Sequence, residues 1–161
     1  MGSMKDTYSE LKLENFLTPQ TIDDSGGDVE SDDIDLQDFN SALIAISAAQ
    51  SGDASPDFTI KVEHKDESGD DYEDVEAGHL LGVDSVSDGV LGGSSFRFDD
   101  GSNGIDIGSD DGEPHTAVFG YIGGKRFVRI TVEDNGSNST GTIFSGVIAK
   151  GHPRLAPVQQ L

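Results

Sequence analysis

Apolar and polar residues alternate with a period of two along much of this chain, with no convincing 3.6-residue spacing of an amphipathic helix. The clearest case is residues 58–65. There Phe58, Ile60, Val62 and His64 share one face, and Thr59, Lys61, Glu63 and Lys65 share the other, as in a half-buried strand. Val128, Ile130 and Val132 alternate with Arg129, Thr131 and Glu133 in the same way. The most apolar run, Ala42-Leu43-Ile44-Ala45-Ile46, reads as part of a buried strand over 41–48. Shorter strands are predicted at 72–75, 80–81, 94–98, 117–122 and 142–150. Asn135-Gly136 in the linker 134–138 is a hairpin turn signal, so 126–133 and 142–150 read as a final hairpin. Short strands with 21 glycines between them predict an all-β fold, a β-sandwich or barrel.

Residues 1–38 look different. Thr18-Pro19 and Gly26-Gly27 break the pattern, and Asp23, Asp24, Asp28, Asp32, Asp33, Asp35 and Asp38 crowd residues 23–38. The segment reads either as a solvated acidic arm or as two edge strands at 13–22 and 29–36, the second being favoured. The expected organisation is therefore an extended acidic N-terminal arm over 1–38 and a sandwich domain over 39–157.

Charge changes the picture most. Thirty-one acids oppose ten bases for a net charge of −21, and 22 of the acids are aspartate. Repulsion of that size opposes compaction in dilute buffer, but at molar salt the Debye length shrinks to about 3 Å. The balance predicts a protein adapted to concentrated salt, and it argues against nucleic-acid partners, which call for a basic surface. From Pro114 onward, however, Lys125, Arg126, Arg129, Lys150 and Arg154 outnumber Glu133 and Asp134, leaving −24 on the first 113 residues. A near-neutral final hairpin beside an acidic remainder suits a subunit that docks by one side. No run approaches the roughly 20 apolar residues of a membrane span, and the start has no apolar export-signal core. Zero cysteines remove disulfides and thiol chemistry.

Candidate chemistry is sparse. Asp99, Asn103, Gly104 and Asp110 fall at the first, fifth, sixth and twelfth positions of a calcium loop. Gly101 occupies the third, and the twelfth lacks the bidentate glutamate, so an acidic solvated loop is the favoured reading. His64, His79, His115 and His152 have no metal-ligand spacing; His64 reads as a core residue and His152 as a packing or interface residue. Asn135-Gly136-Ser137 and Asn138-Ser139-Thr140 match glycosylation sequons, and chance explains them best. No catalytic, cofactor-binding or metal-binding residue is assigned, and no enzyme is expected.

Phe119-Gly120-Tyr121-Ile122-Gly123-Gly124-Lys125-Arg126-Phe127-Val128-Arg129-Ile130 and the ending Gly151-His152-Pro153-Arg154-Leu155-Ala156-Pro157 resemble a family of small virion proteins of tailed phages. Asp35-Leu36-Gln37-Asp38-Phe39-Asn40-Ser41-Ala42-Leu43 is similar to an upstream strand of the same family. The resemblance spans about residues 11–157 and implies a structural role near the major capsid protein. It leaves open capsid decoration or cement, a head–tail connector and a tail-tube subunit. A fainter likeness to galactose-binding jelly rolls rests on the turn leading to Tyr72 and the strand Phe127-Val128-Arg129-Ile130. It implies a jelly-roll-like β-sandwich more than sugar binding, and it adds a carbohydrate-binding spike module as a third reading.

Together these imply a decoration subunit on the virion surface of a halophilic tailed virus, assembled in the host cytoplasm. Its expected partners are the major capsid protein and further copies of itself, a trimer being favoured, with no nucleic acid and no membrane. The charge predicts that folding fails below roughly 0.5 M salt. A salt titration followed by circular dichroism checks this; full structure at low ionic strength without divalent ions contradicts it.

Overall fold

The computed structural model describes residues 10–136 and 138–153 of the chain. It is an all-β sandwich of two largely antiparallel sheets. The strands are β1 (Lys12–Ile22), β2 (Val29–Glu30), β3 (Ile34–Asp35), β4 (Phe39–Ala48), β5 (Phe58–Lys65), β6 (Glu73–Asp74), β7 (Leu80–Leu81), β8 (Ser85–Ser87), β9 (Val90–Gly92), β10 (Arg97–Asp99), β11 (Ile105–Asp106), β12 (His115–Tyr121), β13 (Phe127–Asp134) and β14 (Thr142–Pro153). The first sheet runs β1-β14-β4-β12-β7. The second has the spine β11-β10-β5-β13-β2, with β3 on β13, and β6 and β9 on β5. The chain passes from one sheet to the other at most of its long connections, so few neighbours in sequence are neighbours in a sheet.

Period-two patterning decides which side chains meet. Phe58, Ile60 and Val62 of β5 and Val128, Ile130 and Val132 of β13 point inward. They face Ile44 and Ile46 of β4, Phe119 of β12, and Phe144 and Ile148 of β14. Phe144 sits edge-on to Phe58 and Phe98, at centroid distances of 4.9 and 5.5 Å, and thereby bridges the sheets. Each such buried side chain contributes roughly 1.5–3 kcal/mol.

The stretch 12–35 is woven into both sheets. β1 pairs with β14 from Lys12↔Lys150 to Ile22↔Thr142, with irregularities on both sides of Leu17. β2 and β3 line up along β13. The charge surplus of the C-terminal third holds this stretch in place. Arg126 binds Asp35, Arg129 binds Glu30, and the buried Lys150 pairs with Glu14 and donates to the Asp35 carbonyl at 2.7 Å. Arg154 lies outside the described residues. The bases of the expected docking hairpin are therefore spent inside the molecule.

That hairpin itself does not form. β13 pairs with β5 through eight residues, whereas β14 lies in the other sheet between β1 and β4. Each strand has one apolar face, and burying both against a common core places them in opposite layers. The turn around Asn135-Gly136 becomes a crossover pinned by Asp53, which accepts the N–H groups of Thr140 and Gly141. A true two-residue hairpin occurs elsewhere, between β8 and β9. Asp88 and Gly89 both adopt positive φ there (51° and 77°), the type I′ geometry for which Asp-Gly is suited.

The calcium-like loop is organised by its own first residue. The Asp99 carboxylate, 3% exposed, accepts N–H groups from Gly101, Asn103 and Gly104 at 2.7–3.1 Å. This returns the chain so that β11 pairs in parallel with β10. The oxygens a cation needs are thus engaged with backbone. Asp99→Ala is expected to lower stability by about 2–3 kcal/mol, because several loop donors lose their acceptor. Urea unfolding measures this, and millimolar calcium should leave the wild-type midpoint unchanged.

Candidate docking face

The outward positions of the two sheets differ in kind. On the second sheet Lys61, Glu63 and Lys65 of β5 stand beside Arg129 of β13, and each cation has an acidic partner. Arg129 contacts Glu63 at 2.6 Å and Glu30 at 3.1 Å. Lys61 reaches Glu63 and Asp74, and Lys65 reaches Asp33. Tyr72 lies among them, with Lys65 Nζ and Arg129 Cζ each 4.2 Å from its ring centre and its hydroxyl donating to Asp33. Burial and that hydrogen bond push the Tyr72 phenol upward, while the hydrogen bond from Tyr72 and then the Lys65 ammonium hold the Asp33 carboxyl down. A ring contacted by two cations is poorly placed as a sugar-stacking platform.

Among the described residues, the strand positions on the outer face of the first sheet carry no charge, and Glu10 lines one end of the face. Register fixes it row by row. Leu13 faces Ala149, Ala149 faces Leu43, Leu43 faces Gly120 and Gly120 faces Leu81, one apolar row crossing all five strands. The next row is Asn15, Val147, Ala45 and Val118. Beyond it come Ser145, Ser47 and Thr116, with the Ser47 and Thr116 hydroxyls hydrogen-bonded at 2.8 Å, and then Thr21 with Ile143. Leu13, Leu43, Leu81, Val118, Ile122, Ile143 and Val147 are between 40% and 64% exposed. At the end nearest Gly151, a hollow of about 710 Å³ opens between Leu43, Leu81 and Ile122, floored by Gly120 and Ala149. Four long strands and the two-residue β7 give this face roughly 20 Å by 25 Å, or ~500 Å², of which the apolar rows are part.

Sequence reasoning missed this face, although its signal was present. Ala42-Leu43-Ile44-Ala45-Ile46 is apolar at both parities, the pattern of a strand covered on both sides. Within the described residues the sandwich covers the Ala42, Ile44, Ile46 side and leaves Leu43 open.

The histidines separate. His64 and His79, distant in sequence, come together with ring centres 5.2 Å apart, and His64 Nδ1 lies 2.9 Å from the Tyr121 hydroxyl. His115 is exposed at the start of β12, and His152 is exposed beside Ser41, with Nδ1 2.7 Å from Oγ. Among the described residues no group of three or more acidic, histidine or cysteine side chains is placed to hold a metal ion. Asn138 is fully buried, its amide engaged with Asp134 and Asp57, so its sequon is closed in the folded chain. Asn135 is exposed, while Ser137 of its sequon lies outside the described residues. No protein-family model and no curated protein matches the chain.

Burial, followed by the neighbouring Lys125 and His79, pushes the His64 imidazole below its usual 6.5, and burial raises the Tyr121 phenol to about 12. The unfolded chain therefore takes up a proton near pH 6.5 that the folded chain accepts only at lower pH. Stability falls as pH drops from 6.5 toward the folded value. Urea midpoints should decline between pH 7 and 5.5, and the decline should flatten in His64→Gln.

Proposed function

We propose that the chain is a non-enzymatic structural subunit of a virion, of the capsid-decoration or cement kind, held on the major capsid lattice of a tailed virus from a salt-loving host. The supporting observation is the segregation of charge between the two outer faces. Ion-paired side chains crowd one sheet, acidic loops ring the molecule, and the other sheet presents a face whose strand positions carry no charge. A chain this acidic has hydrophilic residues in abundance, so a five-stranded face built without charge is a surface made to be covered. Function on this reading is packing, and the free energy of binding adds to that of the assembled shell.

Purified virions provide the test, by quantifying this polypeptide against the major capsid protein. The reading expects copy numbers comparable with the capsid subunit. A ring-sized complement at one vertex would move the chain to a connector or tail role, and absence from the particle would remove the virion reading altogether.

A further inference from the structure

We infer that the uncharged face of the five-stranded sheet is where a second copy of this chain binds, forming a two-fold dimer. This rests on the assembly reading and gives the face to a second copy, so that the dimer meets the capsid lattice by its remaining surface; its test needs no virus particle.

Charge selects the occupant. A basic partner would be drawn to the acidic loops and would gain little from this face, where Glu10 lines one end. Two copies at −21 each repel wherever their acids approach. This face lets them meet over a broad area without setting acid against acid, and concentrated salt screens the repulsion at the rim.

Shape points to the same partner. Across the five strands the first row reads Leu13, Ala149, Leu43, Gly120, Leu81, large and small residues in turn. Neighbouring strands lie about 4.8 Å apart, so leucines recur about every 9.6 Å with a gap between them. A two-fold rotation reverses the row. Displaced by one strand, the leucines of one copy fall over Ala149 and Gly120 of the other, and its leucines fall into the gaps of the first. The hollow floored by Gly120 and Ala149 supplies the room. Facing sheets interdigitate in this way at about 10 Å. Two faces of ~500 Å² bury ~1,000 Å², the threshold for a specific interface. A sheet face that meets itself closes as a pair.

Sedimentation velocity and light scattering of the full chain in about 2 M sodium chloride, where screening is nearly complete, test the proposal. The expected mass at tens of micromolar is twice the 17.0 kDa of one chain. Leu43→Glu, at an exposed position, should weaken the dimer at least roughly 100-fold by burying an unpaired charge, with the circular dichroism spectrum unchanged. Because the chain has no cysteine, a second variant covers the case in which that one misfolds. Leu43→Cys should cross-link copies through a bismaleimide spanning about 10 Å, the spacing of facing sheets, whereas Glu76→Cys, outside this face, should not. A monomer or trimer under these conditions, a dimer indifferent to Leu43→Glu, or equal cross-linking from both cysteine positions would overturn the inference. A dimer that is absent from virions would leave the inference standing and remove the proposed function.

Discussion

Repulsion among 31 carboxylates is the constraint around which this sandwich is arranged. Every described lysine and arginine is paired with an acid: Lys12 with Glu14, Lys61 with Glu63 and Asp74, Lys65 with Asp33, Arg97 with Asp57, Lys125 with Asp66 and Glu73, Arg126 with Asp35, Arg129 with Glu63 and Glu30, and Lys150 with Glu14. Several of these pairs join distant parts of the chain and fasten β1, β2 and β3 to the sheets. Exposed pairs contribute little singly, about 0–1 kcal/mol, and salt weakens them. Lys150 and Glu63, largely out of water, are screened less. The few cations are thus placed where they neutralise acids near the core, and the remaining acids are left to the loops.

The preference for aspartate over glutamate arises from those loops. Asp23, Asp35, Asp53, Asp99, Asp100, Asp106 and Asp134 each accept backbone N–H groups from residues that turn the chain. A carboxylate one methylene from the backbone reaches those donors with little loss of side-chain entropy; glutamate reaches them less well. Loop construction therefore draws on the same residues that set the net charge. This explains why a calcium-like spacing around Asp99 arises in a loop whose carboxylate is already occupied.

The strands with clean alternation were legible in the sequence, because alternation records which side chains meet the core; β5 and β13 lie where Phe58 to Lys65 and Val128 to Glu133 place them. The Asn135-Gly136 turn misled, since a local turn signal carries no information about which layer the next strand joins. The β8–β9 hairpin lay hidden in a glycine-rich stretch, although Asp88-Gly89 marks it. Pairing of His64 with His79 and the burial of Asn138 arise from long-range register and had no local trace. The open sheet face was half legible. An apolar run at both parities in β4 states that both sides want cover, but the identity of the second cover is not written in that run.

The inferred dimer rests on the outer face of the first sheet being covered, in solution and in any larger assembly. Hydroxyl-radical footprinting of the chain in about 2 M sodium chloride, as the concentrated dimer against the chain diluted to monomer, reads this residue by residue. The account predicts strong protection of Leu13, Leu43, Leu81, Val118 and Ile143 on assembly, with little change at exposed loop residues such as Glu76. Equal labelling of those five side chains in both states would contradict it.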